Sequence, residues 1–156
     1  MINVLFVCLG NICRSPMAEA VFKDLVINEG LDDRFHIDSV GTGDWHVGEK
    51  AHRGTRNVLS QHGIRCDSRS RQVTRTDLEQ ADYVIAMDLS NVSELDYSFG
   101  NVGLNGRVHL LLDFADNTRV REVPDPYYNG NFEGVYKLVD AGCRGLLAHI
   151  REEQKI

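Results

Sequence analysis

Val4-Leu5-Phe6-Val7-Cys8-Leu9-Gly10-Asn11-Ile12-Cys13-Arg14-Ser15-Pro16 is the stretch that decides how this chain folds. Val4 to Val7 are β-branched, aliphatic and aromatic without a polar break, the composition of a strand buried on both faces. Ser15-Pro16 offers a good N-cap followed by proline at the first helical position, so a helix is expected from Pro16. Between strand and helix, the loop Cys8 to Ser15 points several backbone N–H groups and the positive end of a helix dipole at one place. That is an anion site before any side chain is counted. Cys8 and Arg14 lie inside it. A positive field that holds an anion also favours a nucleophilic thiolate at Cys8, and the planar fork of Arg14 suits two phosphate oxygens.

Outward from this loop, helical and strand periodicities alternate. Met17, Ala18, Val21, Phe22 and Leu25 make one apolar stripe on a helix from Pro16 to Glu29, with Gly30 as its stop. Phe35 to Val40 alternates as a second strand, followed by a glycine-rich loop, 41–48, that carries the one tryptophan, Trp45. A helix is expected over His52 to His62 with Gly63 as its stop, then a basic run with Arg65, Arg69, Arg71 and Arg75. That run reads either as a solvated face or as a rim attracting an anion. Thr76 to Glu79 reads as a short capped turn, Asp82 to Asp88 as a buried strand, and Leu89 to Leu95 as the start of a helix. Tyr97 to Arg107 is loop-like, Val108 to Leu112 is a fourth strand, and Asp113 to Val123 is polar. Pro124 to Gly130 is turn-rich. The last helix has a stripe at Phe132, Val135, Tyr136, Val139, Cys143, Leu146, Leu147 and Ile150. Together these predict an α/β fold: a single-domain, three-layer sandwich with a four-stranded parallel sheet and helices on both faces. Ligands of such folds bind beyond the carboxyl ends of the strands, where Cys8, Asp88 and Asp125 can meet.

The 156 residues suffice for one domain spanning 1–156. A hydrophobic content of 42% with 26% charged residues is that of a soluble globular protein. The net charge of −6 argues against a general nucleic-acid binder. No apolar run approaches the ~20 residues of a membrane span, so neither membrane insertion nor secretion is expected. Cys8, Cys13, Cys66 and Cys143 form no paired CxxC and the six histidines show no ligand spacing. No metal and no cofactor are therefore expected, and the thiols indicate a reducing, cytoplasmic location.

The Cys-x5-Arg-Ser loop near the N-terminus, followed by Pro16-Met17-Ala18-Glu19, together with the distant Asp125-Pro126-Tyr127-Tyr128, resembles the low-molecular-weight protein tyrosine phosphatases along nearly the whole chain. The resemblance implies hydrolysis of phosphotyrosine on proteins, and of small aryl phosphates, through a phosphocysteine. Cys8 is then the nucleophile, Arg14 the phosphate clamp and Asp125 the general acid, although on its own Asp125 reads equally well as a turn residue before proline. Leu9, Gly10, Asn11, Ile12, Cys13 and Ser15 are expected to bind the phosphoryl group. Ser15 would stabilise the thiolate, and Asn11 would fix the loop, since Asn tolerates left-handed backbone. Trp45 is either a lid over the local core or, as the resemblance implies, a wall of the cleft with Tyr127 and Tyr128. Cys13 is either a core thiol or the partner of an oxidised Cys8. Implied partners are phosphotyrosine-containing proteins, a bacterial tyrosine kinase among them, acted on by a monomer or weak homodimer.

Ile12 resembles the phosphotyrosine branch, since the family's protein-arginine phosphatases carry threonine there. Ser68 departs from the histidine with which eukaryotic members support the loop. An arsenate reductase on this scaffold needs relay cysteines after the third strand, and Asp88 to Gly106 has none. A non-catalytic phosphotyrosine-binding module is the alternative of a different class, disfavoured because nucleophile, arginine and acid are all present. A nucleotide P-loop lacks its G-x4-G-K-[ST] pattern.

Overall fold

The computed structural model describes residues 1–116 and 118–156. Asn117, within the polar segment read between Asp113 and Val123, lies outside the described residues. Four parallel strands, β1 (Ile2–Cys8), β2 (Phe35–Gly41), β3 (Tyr83–Ala86) and β4 (Val108–Leu110), lie in the order β2-β1-β3-β4. The helices are α1 (Arg14–Asn28), α2 (Arg53–Gln61), α3 (Arg75–Gln80), α4 (Leu89–Phe99), α5 (Pro126–Asn129) and α6 (Phe132–Gln154). The α/β, three-layer architecture expected from the sequence is the one observed.

The alternation of β1 explains the layers. Val4, Phe6 and Cys8 face a core shared with α1, α2 and α6, where Phe22, Leu59, Val139, Leu146 and Ile150 are buried. Leu5 and Val7 face the opposite core, closed by Leu78 of α3, Leu95 of α4 and Leu104. With both faces covered, a continuous apolar run is the composition β1 requires. The apolar stripe of α6 holds along its length, with Val135, Val139, Cys143, Leu146, Leu147 and Ile150 all buried. Its Gly145 allows close crossing, since a Cβ there would stand 1.7 Å from the Phe114 carbonyl oxygen.

Several boundaries differ from the sequence reading. Ser15 does not cap α1. The helix begins at Arg14, with Cys13 at the cap position and no side-chain cap bond. The Ser15 hydroxyl is engaged with Cys8 and Asn11 instead, and Pro16 is accommodated because N–H groups of a first turn have no intrahelical acceptor anyway. The cap of α3 is Thr74, two residues ahead of Thr76, in a reciprocal capping box with Asp77. β4 ends at Leu110, and Leu111–Phe114 turns as a 3-10 helix. α4 runs on to Phe99 through residues read as loop, followed by another such turn at Gly100–Val102.

Candidate active site

The carboxyl ends of β1, β2 and β3 and the segment beyond β4 converge on one cleft of about 370 Å³. Cys8, Leu9, Gly10, Ile12, Cys13 and Arg14 form its floor, and Trp45, His46, Asp125, Tyr127 and Tyr128 its walls. β1 delivers Cys8 to the end of the sheet, and the chain turns back on itself before entering α1 at Arg14. The turn is possible because Asn11 takes up a left-handed conformation, φ 55°. It also depends on Gly41 at the end of β2, where a Cβ would meet the Leu9 carbonyl oxygen at 2.8 Å. Thr42 and Gly43 donate backbone N–H groups to the carbonyls of Cys8 and Leu9 at 2.9 Å each, so loop carbonyls are satisfied away from the cleft.

Cys8 is buried, its Sγ 3.0 Å from the Ser15 hydroxyl and 3.3 Å from the Asn11 backbone nitrogen, which donates to it. The Asn11 amide is fully engaged. Its Nδ2 donates to Ser15 Oγ at 2.7 Å and Ser39 Oγ at 3.0 Å, and its Oδ1 accepts from the Arg71 backbone at 3.0 Å. Because Ser15 accepts from Asn11, its own proton is free for Cys8 Sγ or, at 3.4 Å, the Val40 carbonyl. Ser39 in turn donates to the buried Glu19 carboxylate at 2.5 Å, which Lys23 neutralises at 2.6 Å. Asn11 and Ser15, expected to touch a bound phosphoryl group, therefore sit behind the loop with buried side chains that hold Cys8.

Arg14 is 3% exposed and is partnered through Nη1. Its Nη1 donates to Asp88 Oδ2 at 2.6 Å and to the Val123 carbonyl at 3.0 Å, and its Nη2 lies 3.6 Å from Asp125 Oδ2. Burial works against the guanidinium charge, but Cys8, Asp88 and Asp125 around it hold its proton above the ordinary value. Asp125 caps the short helix α5, its Oδ1 accepting from the Tyr127 N–H at 3.0 Å, which leaves Oδ2 toward the cleft. Cys13 is buried beside them. Burial first, then the charges of Asp125 and Cys8, push its thiol from 9.0 up to about 12.

Trp45 is no lid over the core. It is 68% exposed, its ring folded over Gly43, and it lines the cleft together with Tyr127 and Tyr128. His46 was not singled out by the sequence reading, although it neighbours the tryptophan. Its ring covers Gly10, lies 6.2 Å from the Tyr127 ring, and is held by Glu49 at 2.8 Å through Nδ1. The basic run after Arg65 is a solvated face, with Arg65, Arg69 and Arg75 exposed, and it does not line the cleft. Arg71 bridges Asp38 and Asp77, Arg69 donates to the Gly48 carbonyl, Arg65 pairs with Asp67 and Arg75 with Glu79. Ser68 lines a small void beside Glu19 and Lys23. Among the described residues, no group of three His, Cys, Asp or Glu side chains is placed to hold a metal ion, and no helix is long and apolar enough to cross a membrane.

Residues 3–156 match the model of the low molecular weight phosphotyrosine protein phosphatase family. The chain is 47% identical over 157 residues to low molecular weight protein-tyrosine-phosphatase YfkJ of Bacillus subtilis, covering 100% of both chains. It is 44% identical to the protein-tyrosine-phosphatase PtpA of Staphylococcus saprophyticus over 98% of this chain and 100% of that one. A crystal structure of a protein tyrosine phosphatase from Entamoeba histolytica, with Hepes in its active site, superposes with a TM-score of 0.91 at 38% identity, covering 100% of both chains.

Proposed function

The chain belongs to the low molecular weight phosphotyrosine protein phosphatase family, and from that premise we propose that it hydrolyses phosphotyrosine on proteins, and small aryl phosphates, through a phosphocysteine intermediate. The observation that carries the reading is the convergence on one cleft of a buried cysteine sulfur, a buried guanidinium and a capping carboxylate, under aromatic walls.

A phosphate monoester dianion is drawn to Arg14 and to the N–H groups of the loop, which match the equatorial oxygens of the transition state. Cys8 Sγ attacks phosphorus, forming the S–P bond as the bond to the aryl oxygen breaks. Asp125 delivers its proton to that oxygen as charge develops there, help worth ~10²–10⁴-fold in rate. In the second step the Asp125 carboxylate takes a proton from water, the water oxygen bonds phosphorus, and the S–P bond breaks. The Ser15 hydroxyl at 3.0 Å and the Asn11 N–H at 3.3 Å receive the departing thiolate. Trp45, Tyr127 and Tyr128 offer faces to an aryl ring, and the buried, apolar Ile12 supports phosphotyrosine over phosphoarginine. We place the enzyme in the cytoplasm, as a monomer or weak homodimer acting on phosphotyrosine proteins, with a bacterial tyrosine kinase as the candidate substrate.

Phosphate release from an aryl phosphate, without added metal, tests this. Turnover by the wild type, none by Cys8→Ser and a severe loss in Asp125→Asn are expected. A wild type that binds phosphotyrosine without turnover would make the chain a binding module, and full activity in Asp125→Asn would remove Asp125 as the acid.

A further inference from the structure

We propose that Ser70 is a positioning residue for the Cys8 nucleophile, acting through the peptide unit between Gly10 and Asn11. The inference rests on the reading of Cys8 as the nucleophile. Ser70 is buried, lies 60 positions from Gly10 in sequence, and does not line the cleft. Its hydroxyl donates to the Gly10 carbonyl oxygen at 3.0 Å. That oxygen and the Asn11 N–H belong to one planar trans peptide, so they point in opposite directions. The Asn11 N–H is the group donating to Cys8 Sγ at 3.3 Å. Ser70, the Gly10–Asn11 peptide and the Cys8 sulfur are therefore three links of one hydrogen-bonded line. A donor on the carbonyl end strengthens the N–H at the other end, as hydrogen bonds in series polarise one another.

Orientation matters as much as strength. Asn11 holds φ 55°, which non-glycine residues seldom adopt, so rotation of this peptide toward ordinary backbone would take its N–H off the sulfur. Ser70 opposes that rotation because its own backbone is held on both sides. Its N–H donates to the Glu49 carbonyl at 2.9 Å and its carbonyl accepts from the Gly48 N–H at 2.8 Å. The next residue, Arg71, is anchored by its guanidinium to Asp38 at 2.6 Å and Asp77 at 2.9 Å, while its N–H reaches Asn11 Oδ1.

The test is the pH profile of Cys8 alkylation by iodoacetamide between pH 4 and 10, read by peptide mass spectrometry, with Cys66 as internal comparator. Ser70→Ala removes one neutral hydroxyl and leaves every charged or titratable group around Cys8 in place: Arg14, Cys13, Asp88, Asp125 and His46. The pH of half-maximal rate is expected to rise by about half to one unit in Ser70→Ala, with the alkaline plateau unchanged. Arg69→Ala loosens the same segment where it meets Gly48 without touching Gly10, and is expected to keep the wild-type midpoint. An unmoved midpoint in Ser70→Ala, an equal movement in Arg69→Ala, or a lowered plateau without a movement would each overturn the assignment. A wild-type Cys8 that reacts no faster than Cys66 would instead overturn the nucleophile reading itself, and this inference with it.

Discussion

Replacing Asp88 by asparagine separates the two carboxylates that flank Arg14. Asp88 has two duties: it receives the Arg14 Nη1 at 2.6 Å, and it caps α4 by accepting from the Asn91 N–H at 2.8 Å. Asparagine is as good a cap as aspartate, so Asp88→Asn preserves the second duty and weakens only the first. A hydrogen bond between charged partners contributes about 1.5–3 kcal/mol, and breaking a fully buried pair costs about 3–5 kcal/mol. Here the guanidinium is 3% exposed but the carboxylate 19%, and Arg14 keeps the Val123 carbonyl and Asp125. The lower range applies, about 2 kcal/mol of unfolding stability. Asp88→Ala also loses the cap, and should cost about 1 kcal/mol more. Without Asp88, the guanidinium is expected to lean toward Asp125, 3.6 Å from its Nη2, and to be less available to a phosphoryl group. Inhibition by inorganic phosphate should weaken about tenfold, equivalent to about 1.4 kcal/mol. Urea unfolding and phosphate inhibition of both variants check these numbers. If Asp88→Asn unfolds and binds phosphate like the wild type, the ion pair does not aim Arg14. If phosphate binding holds while kcat becomes strongly dependent on the leaving group, Asp88 rather than Asp125 is the acid.

Two further outcomes follow from the same structure. Gly145→Ala drives a Cβ into the Phe114 backbone, which cannot rotate aside as a side chain would, and should destabilise by about 3 kcal/mol or more, whereas Gly30→Ala, in open space at φ 69°, should cost about 1–2 kcal/mol. Urea denaturation ranks the two, and the reverse order would refute the close crossing of α6. The Cys13 thiol, pushed from 9.0 up to about 12 chiefly by burial, stays protonated in the folded protein where the unfolded chain would ionise. Its contribution to stability is thus complete below about pH 9 and is lost as the pH rises toward 12. Cys13→Ser should flatten that alkaline decline, and an identical slope in both proteins would show that Cys13 is not its source.

Where an element's determinants fall within one short stretch, its existence is legible in the sequence, though not which residue caps it. β1, the loop and α1 follow from one run of residues because burial on both faces, the tight turn and the anion-binding end of a helix are local properties. The start of α1 was misjudged for an equally physical reason: a serine before proline is a cap only if its hydroxyl is free, and Ser15 is engaged by Asn11. The capping box Thr74-x-x-Asp77 is visible in the sequence as a spacing, two residues ahead of the Thr76 at which the capped turn is expected to begin. Asp88 was visible as a carboxylate at a strand end, but its pairing with Arg14, 74 positions away, was not.

That division has a chemical basis. Groups meant to contact a phosphoryl dianion must be few and close in sequence, because successive N–H groups of one turn converge without further help. The turn is held partly from within, by Asn11 against Ser15 and Cys8, and its remaining polar groups are met by partners from outside it. In this chain they arrive from four directions: Ser39 from β2, Ser70 and Arg71 from the segment before α3, Asp88 from the end of β3 and Val123 from the segment before α5. None carries a motif, and a serine, a backbone amide or a carbonyl is unremarkable in any sequence. What distinguishes them is that each is the partner of a loop polar group which would otherwise be buried without one, at a cost of about 1–3 kcal/mol apiece. The sequence therefore displays the groups proposed to react, while the groups that aim them become visible only when each buried donor and acceptor of the loop is followed to its partner.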